Sequence, residues 1–503
     1  GWEMCRRDGR WGGVERGVLK VYGPREPGPL EREGDYGILD LAGARALAER
    51  LGRERALREL ARAASSGYCP RGALARFLWE AGISGRIVLE DHPSGMLVRP
   101  EGLAEGDEEE IRSLSHVEYN VPLRGGEFRR ESIRTLAPLG DGSYLAPHFM
   151  YHHLRRAAER RLLHLEDRVE WPSEGADFPE RGYELYDYQE EAVWRWEEAG
   201  RFGTVVMPTG SGKTYVAMEA MRRTGLRTLV CVVTIELASQ WIELVSSLLG
   251  AEAGEFSGRR KEVADVTVGI YNSVAKYVED LWDRFGLIVF DEVHHVPAST
   301  FRAVALRAKA KYRMGLSATP QRYDGNEHLI FLTAGDPVYR VSYRELVERG
   351  IVAPLEHFVV RVDLTPRERR LMQLELADAR TDEEEIAVKK KYSLNAREKV
   401  RAVADIVDRE RGRKIIVFTE YLDQAGRIHE ELVRRGHRAA LLTGRTRERS
   451  EVFEAFRRGD VSVIVTTRVL DEGVDVPDAD VAIIASGSGS PRQMAQRVGR
   501  VLR

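Results

Sequence analysis

The sequence predicts an α/β protein: two parallel-sheet lobes preceded by a mixed α+β N-terminal domain. Three observations predict it. Short apolar runs recur at residues 204–206, 228–233, 267–270, 287–290 and 314–316, and again at 414–418, 439–442, 462–465 and 481–485. Strands this apolar are buried on both faces, as in parallel sheets covered by helices. Stretches with helical periodicity, such as 422–435 and 447–458, lie between them and supply the crossovers that parallel strands need. Before residue 175 that alternation is missing. There the order is a turn-rich stretch at 23–37, a helix at 41–64, an apolar-periodic segment at 73–81 and an acidic run at 105–110. Residues 151–165 have helical periodicity with Arg155, Arg156, Arg160 and Arg161 interleaved; this is a solvated helix face or a set of phosphate contacts. Residues 171–175, Trp-Pro-Ser-Glu-Gly, read as a linker. The expected division is 1–175 for an accessory domain, 178–342 for the first lobe and 343–503 for the second. A charged, helix-prone insertion at 365–397 forms a projecting subdomain or a mobile linker.

Bulk composition narrows the function. A chain of 503 residues, 43% hydrophobic and 31% charged, has room for several cores. No apolar run approaches the roughly 18–20 residues of a membrane span. Cys5, Cys69 and Cys231 are scattered, which argues against a disulfide framework or a Cys-based metal site and for a reducing cytoplasm. Lys and Arg number 77 against 80 Asp and Glu, so a nucleic acid would have to be held by a local basic groove rather than by overall charge. Beginning on Gly1 and stopping on Arg503 inside a motif, the sequence reads as a fragment.

The segment Met207-Pro208-Thr209-Gly210-Ser211-Gly212-Lys213-Thr214 carries the clearest chemistry. It follows a strand and opens a helix, the context in which a glycine-rich loop cradles phosphate. Gly210 and Gly212 allow the backbone to turn and approach where a Cβ would collide, so N–H groups can converge on phosphate oxygens, aided by the helix N-terminus. Thr209, Gly210, Ser211, Gly212, Lys213 and Thr214 are therefore the nucleotide-binding candidates. Lys213 would reach the β- and γ-phosphates and Thr214 would ligate Mg²⁺. Met207 stands where such loops usually have a first glycine.

Asp291 and Glu292 end a second apolar strand. Asp291 would hold Mg²⁺, directly or through water, and Glu292 would orient or deprotonate the attacking water. Ser317 and Thr319 follow a further strand and would link the nucleotide site to a neighbouring surface, with His294 taking part in that coupling. Gln189, at the start of a helix before the first strand, would read an adenine edge with its paired amide donor and acceptor. In the second lobe, Gly473 and Asp475 are further nucleotide contacts. Arg500 and Arg503, three apart, share a helix face and would act as arginine fingers, the planar fork matching the spread phosphoryl charge. Gln496 would bond both the nucleotide and His294.

Taken in order, the phosphate loop, Asp-Glu-x-His, Ser-Ala-Thr and Gln-x-x-Gly-Arg-x-x-Arg over residues 185–503 resemble a superfamily 2 helicase. The likeness is greatest to the XPB-type DNA repair helicase, particularly its archaeal form. It is carried by residues 291–298, 470–479 and 486–490 leading into 496–503. The resemblance implies RecA-like lobes, ATP and Mg²⁺ as cofactors, and 3′→5′ unwinding or duplex translocation in repair. It also implies a monomer with a repair nuclease as partner. The family carries an Arg-Glu-Asp loop after Ser-Ala-Thr; here Arg322, Tyr323 and Asp324 stand there, without the glutamate. Residues 365–397 fall where the family has a thumb-like insertion, and 1–175 where archaeal relatives have a damage-recognition-like domain.

DNA, duplex or single-stranded, would run across both lobes and be held at its phosphates. Candidate contacts are Gln240, Trp241, Ser273, Arg322, Asp324, Thr443, Gly444 and Thr467. Trp241 either stacks on a base or is a buried indole beside its helix. Other readings are the motor subunit of a restriction or phage-defence system, an RNA helicase, and a nucleotide-gated DNA-binding scaffold that does not hydrolyse.

Overall fold

The computed structural model describes residues 5–7, 10–15, 18–22, 31–33, 36–66, 71–122, 128–179, 181–322, 324–352, 354, 356–444, 446, 449–467 and 479–486. The chain opens with an antiparallel sheet in the order Cys5–Arg7, Arg10–Glu15, Val18–Tyr22, Tyr36–Asp40, Glu31–Glu33. Asp40 caps the next helix, its Oδ1 accepting the Gly43 N–H at 2.7 Å. The single helix expected at 41–64 is two, Leu41–Leu51 and Arg53–Ser66, because Gly52 leaves the helical region at φ +82°. A second sheet runs Ala137–Pro138, Tyr144–Ala146, Gly95–Glu101, Arg86–His92, His164–Asp167, the last pair parallel. Helix Tyr151–Arg161 covers it, burying Leu154, Ala157 and Ala158 against Ile87, Leu89 and Val98. That helix stops short of residue 165 because Leu162 adopts a left-handed conformation, and the chain turns into the strand His164–Asp167. Strands His116–Pro122 and Phe128–Arg134 form a separate antiparallel hairpin.

The first lobe is a seven-stranded parallel sheet. Its strands are β1 (Phe202–Val206), β2 (Thr228–Val232), β3 (Ala253–Phe256), β4 (Val266–Ile270), β5 (Leu287–Phe290), β6 (Tyr312–Ser317) and β7 (Pro337–Arg340). They lie in the order β3-β4-β2-β5-β6-β1-β7. β1, β2 and β5 are buried at every position, as their unbroken apolar runs require. β3 and β7 were not among the expected strands; both are sheet edges with mixed burial, so neither has a long apolar run to announce it. Arg313 of β6 is completely buried and pairs with no carboxylate among the described residues; its guanidinium donates to the carbonyls of Ala305, Ala308, Ala310 and Thr333, most of them at the ends of helices Ser299–Arg307 and Glu327–Ala334.

The N-terminal domain is bonded to this lobe along the amino ends of β1 and β6. The His152 ring stacks on Phe202 at 4.3 Å, and its Nε2–H donates to Lys311 O at 2.6 Å. His153 Nε2–H donates to Leu332 O at 2.7 Å. Lys309 pairs with Asp91 and Lys311 with Asp167, each at 2.7 Å, and Arg156 pairs with Asp336 at 2.6 Å. Leu329 and Leu332 of the lobe join the N-terminal domain's own core. The arginines of the 151–161 helix are thus neither idle nor aimed at phosphate: Arg160 pairs with Glu110 and Arg161 with Asp107.

The second lobe has four described parallel strands, β8 (Ile415–Phe418), β9 (Ala439–Leu442), β10 (Val463–Thr466) and β11 (Val481–Ile484), in the order β9-β10-β8-β11. Helices Glu398–Arg409 and Leu422–Arg434 pack Val403, Val407, Ile428 and Leu432 onto it. The charged insertion forms two helices, Pro366–Asp378 and Asp382–Leu394, packed on each other with no buried residue in either and joined by the Glu375–Lys391 pair at 2.9 Å. Gln424 Nε2 and Arg427 tie its end to the lobe, donating to Leu394 O and Asn395 Oδ1. Among the described residues, no helix is long and apolar enough to cross a membrane.

Candidate active site

Strands β5, β6 and β1 are neighbours, so the loops leaving their carboxyl ends share one edge of the sheet. In open α/β sheets this is where ligands bind. The loop after β1 is the glycine-rich one. Gly210 and Gly212 sit at φ +81° and +78°, and a Cβ at 212 would collide with the Gln189 amide. Helix Lys213–Thr224 starts there, aiming its N-terminus into the loop, and ends at the left-handed Gly225. Met207 is fully buried in the core and its N–H bonds Ser317 O at 3.0 Å, which explains why this position needs no glycine. Lys213 Nζ donates to Met207 O at 3.2 Å and Pro208 O at 3.1 Å, so its ammonium lies back across the loop. Thr209 and Thr214 are half-buried and Ser211 is buried, its hydroxyl donating to Pro208 O at 2.6 Å.

Gln189, the candidate for reading an adenine edge, lies against the phosphate loop. It is buried, its Oε1 accepts the Tyr186 N–H at 3.0 Å and its Nε2 donates to Ser211 O at 2.9 Å. Both ends of the amide are spent bracing the phosphate loop, joined by the Tyr188 hydroxyl, which donates to the same Ser211 O at 2.7 Å. Arg223 couples the two helices concerned through Glu190 and Glu197. Glu219 beneath them is fully buried; burial opposes its charge, but Arg222 and Arg223 outweigh that and hold its pKa down at about 2.

The loop after β5 carries the carboxylates. Of the two readings of Trp241, the structure shows the buried indole: it is 2% exposed, Nε1–H donates to Asp291 Oδ2 at 2.9 Å, and the ring packs in the core under helix Ile235–Leu249. Asp291 Oδ1 accepts the Glu292 N–H at 2.9 Å, so both carboxylate oxygens are held, and Tyr271 donates to the Asp291 backbone carbonyl at 3.2 Å. Glu292 stands in the left-handed region at φ +48°, a conformation costly for a side chain with a Cβ and kept only where surroundings enforce it. Its Oε2 lies 3.3 Å from Nδ1 of the fully buried His294, and that Nδ1 lies 3.3 Å from Ser317 Oγ at the end of β6. Ser317 Oγ in turn accepts the Thr319 N–H at 3.1 Å, while the buried Thr319 hydroxyl has no hydrogen-bond partner among the described residues.

Arg322 and Asp324 follow β6. Expected to face DNA, they face each other: the guanidinium grips the carboxylate at 2.8 and 2.6 Å, with the side chains 14% and 4% exposed. Arg322 also donates to His294 O. A planar fork and a carboxylate in a nearly dry site make a strong, directional pair. Tyr323 lies outside the described residues.

The other DNA candidates follow strand ends. Gln240 and Ser273 are half-buried, beyond β2 and β4. Thr443 and the exposed Gly444 follow β9, and Thr467, largely buried, follows β10. Gly473, Asp475, Gln496, Arg500 and Arg503 lie outside the described residues. What sequence reasoning missed is the support around the carboxylates and the loop: Tyr188, Tyr271 and the amide of Gln189 used structurally. A tyrosine next to a glutamine in the helix before the loop was the one visible signal.

Fold and edge together define the ATPase half of a superfamily 2 helicase core. Comparison with known proteins bears on the rest. Residues 182–322 match the family described as type III restriction enzyme, res subunit, and residues 398–503 match the helicase conserved C-terminal domain. The chain is 33% identical over 395 residues to the DNA 3′-5′ translocase XPB2 of Sulfurisphaera tokodaii, covering 72% of this chain and 88% of that one. It is 36% identical to the DNA 3′-5′ helicase XPB of Mycobacterium tuberculosis, covering 68% of this chain and 64% of the relative. It is 38% identical to the putative DNA 3′-5′ helicase Rad25 of Haloarcula marismortui, covering 63% and 50%. The chain thus spans between half and two thirds of the length of the last two relatives. It belongs to the XPB family of superfamily 2 helicases.

Proposed function

We propose that this chain is an ATP-driven DNA translocase that opens duplex DNA with 3′→5′ polarity in repair. The observation that carries the reading is the shared sheet edge. A glycine loop with an ammonium across it stands beside a carboxylate already oriented by Trp241 and the Glu292 N–H. That donor set fits a triphosphate with a divalent cation. Gly210–Thr214 N–H groups and Lys213 would bind the phosphates; Thr214 and Asp291 would hold Mg²⁺, which when bound polarises the phosphoryl oxygens. Glu292, kept in place by His294, orients the attacking water and takes its proton. Arg500 and Arg503 would act as arginine fingers from the second lobe, and Gln496, Gly473 and Asp475 would bind the nucleotide, so that the lobes close on the triphosphate and separate after hydrolysis. Gln240, Ser273, Thr443, Gly444 and Thr467 hold the DNA backbone on the two lobes. The same reading makes residues 1–175 an accessory domain and the molecule a cytoplasmic monomer that works with a repair nuclease.

ATP hydrolysis measured alone, with duplex DNA, with single-stranded DNA and with RNA tests this, using wild type and Lys213→Ala. The expected result is a DNA-stimulated rate that Lys213→Ala abolishes. A rate indifferent to DNA, or one surviving that substitution, rejects the proposal.

A further inference from the structure

The hairpin of the N-terminal domain does not end at the seam described above. Its strand His116–Pro122 reaches round to the other end of the sheet and meets the loop that follows β6. Asn326, 3% exposed, brackets the backbone of Asn120: its Oδ1 accepts the Asn120 N–H at 2.8 Å and its Nδ2 donates to Asn120 O at 2.7 Å. The Asn120 side chain answers by donating Nδ2 to Asp324 O at 2.9 Å. His328 bonds Glu118 O at 2.6 Å, and Arg302 lies over the Tyr119 ring at 4.1 Å while donating to its hydroxyl. From Asp324 the bonds continue inward through the Arg322 fork to His294 O, and from the His294 ring to Glu292 and Ser317.

We propose that this hairpin is part of the hydrolysis machinery: Asn120 is a positioning residue for Glu292, acting through Asp324, Arg322 and His294. The inference rests on the ATPase reading given above. Its physical basis is that the links from Asn120 to the His294 backbone are hydrogen bonds in largely buried surroundings, where such bonds are stiff and polarise one another, and that the buried His294 ring stands 3.3 Å from the Glu292 carboxylate. Glu292 sits in a conformation that its own chain disfavours, so it depends on what surrounds it. The N-terminal domain thereby sets the turnover of a site to which it contributes no residue, and movement of that domain on DNA reaches Glu292 by this path.

Steady-state ATPase kinetics of the full chain with duplex DNA test it. Asn120→Ala and the isosteric Asn120→Asp both remove the donor to Asp324 O. Each is expected to lower kcat by roughly 3- to 20-fold, the range of couplings carried by such networks, with the KM for ATP within about 2-fold of wild type. The control is Lys309→Ala, which cuts the 2.7 Å pair to Asp91 in the same domain interface but off this path; it is expected to lower Tm and leave kcat unchanged. A cycle of Asn120→Ala with Ser317→Ala is expected to be non-additive. Wild-type kcat in both Asn120 variants, a loss seen only in KM, or an equal kcat loss in Lys309→Ala overturns the inference while leaving the ATPase reading in place. A wild-type chain without DNA-stimulated turnover removes both.

Discussion

At the amino ends of β1 and β6 the first lobe meets the N-terminal domain through histidine rings, paired charges and apolar side chains, whereas at the carboxyl ends of β1, β5 and β6 it presents glycines, carboxylates and hydroxyls. The amino edge is built of pairings: His152 and His153 each donate to a backbone carbonyl, and Lys309 and Lys311 each meet a carboxylate, although His148 Nε2 and His152 Nδ1 are buried without a hydrogen-bond partner among the described residues. The carboxyl edge carries costs too, with Glu292 at positive φ and the Thr319 hydroxyl buried without a hydrogen-bond partner among the described residues. One sheet thus divides fixing from working. Positive φ occurs at both edges, at Arg201 before β1 and at Glu292 after β5, and the second is the one beside the phosphate loop.

The sharpest way to test that division is Glu292→Gln. If the carboxyl edge is for chemistry, hydrolysis should fall by roughly 10²–10⁴-fold while nucleotide affinity and Tm hold. A fall in Tm instead would make Glu292 a structural residue. Acid should act on the opposite edge. Burial, and then Lys309 and Arg313, push the His148 pKa down to about 4 from 6.5, and burial lowers those of His152 and His153 as well. Below pH 6.5 the unfolded chain gains these protons and the folded one does not, so stability should fall as pH drops toward 4. His148 alone accounts for roughly 3 kcal/mol by then. Burial opposes the charge of Asp91, but Lys309 and the Glu170 N–H hold its pKa below the usual range, so its contribution is lost only at lower pH. Denaturant midpoints at pH 7 and pH 4.5 read the histidine window. A flat profile there would contradict the picture of neutral histidines at the seam.

Trp241→Phe probes the support of the working edge. It keeps most of the packing and removes the donor to Asp291, and the Mg²⁺ concentration for half-maximal turnover should rise by about 10- to 100-fold. An unchanged requirement would mean the indole only fills space. The smallest effect is expected from Arg156→Ala. Its partner Asp336 is 63% exposed, so the pair should contribute under about 1 kcal/mol by thermal unfolding.

How legible all this was depended on the kind of signal. β1, β2 and β5 announce themselves because burial on both faces demands unbroken apolar runs. The phosphate loop is legible because its glycines and lysine answer to one local geometry. β3 and β7 were missed, since edge strands with mixed burial resemble loops in composition. Gln189, Trp241, Arg322 and Asp324 are at the edge the sequence indicates, but their bonds to Ser211 O, Asp291 and each other are not legible in it. Residue type tells what a side chain can bond. The partner is set by tertiary packing, such as the fit of a helix over Asp291 or of a hairpin 206 residues away in sequence over Asn326.

Arg313 has a consequence for the molecule's tolerance of change. Its cation is accommodated by carbonyl dipoles alone, those at two helix ends prominent among them, beneath the Phe149 ring of the N-terminal domain. No single neighbour can be altered to compensate for its loss, because the counter-charge is spread over backbone that every sequence shares. Lysine lacks the fork to reach these acceptors, and a neutral replacement leaves them dry and unbonded. A site far from any nucleotide is thereby among the least mutable in the chain, and inherited or engineered variation should go around it.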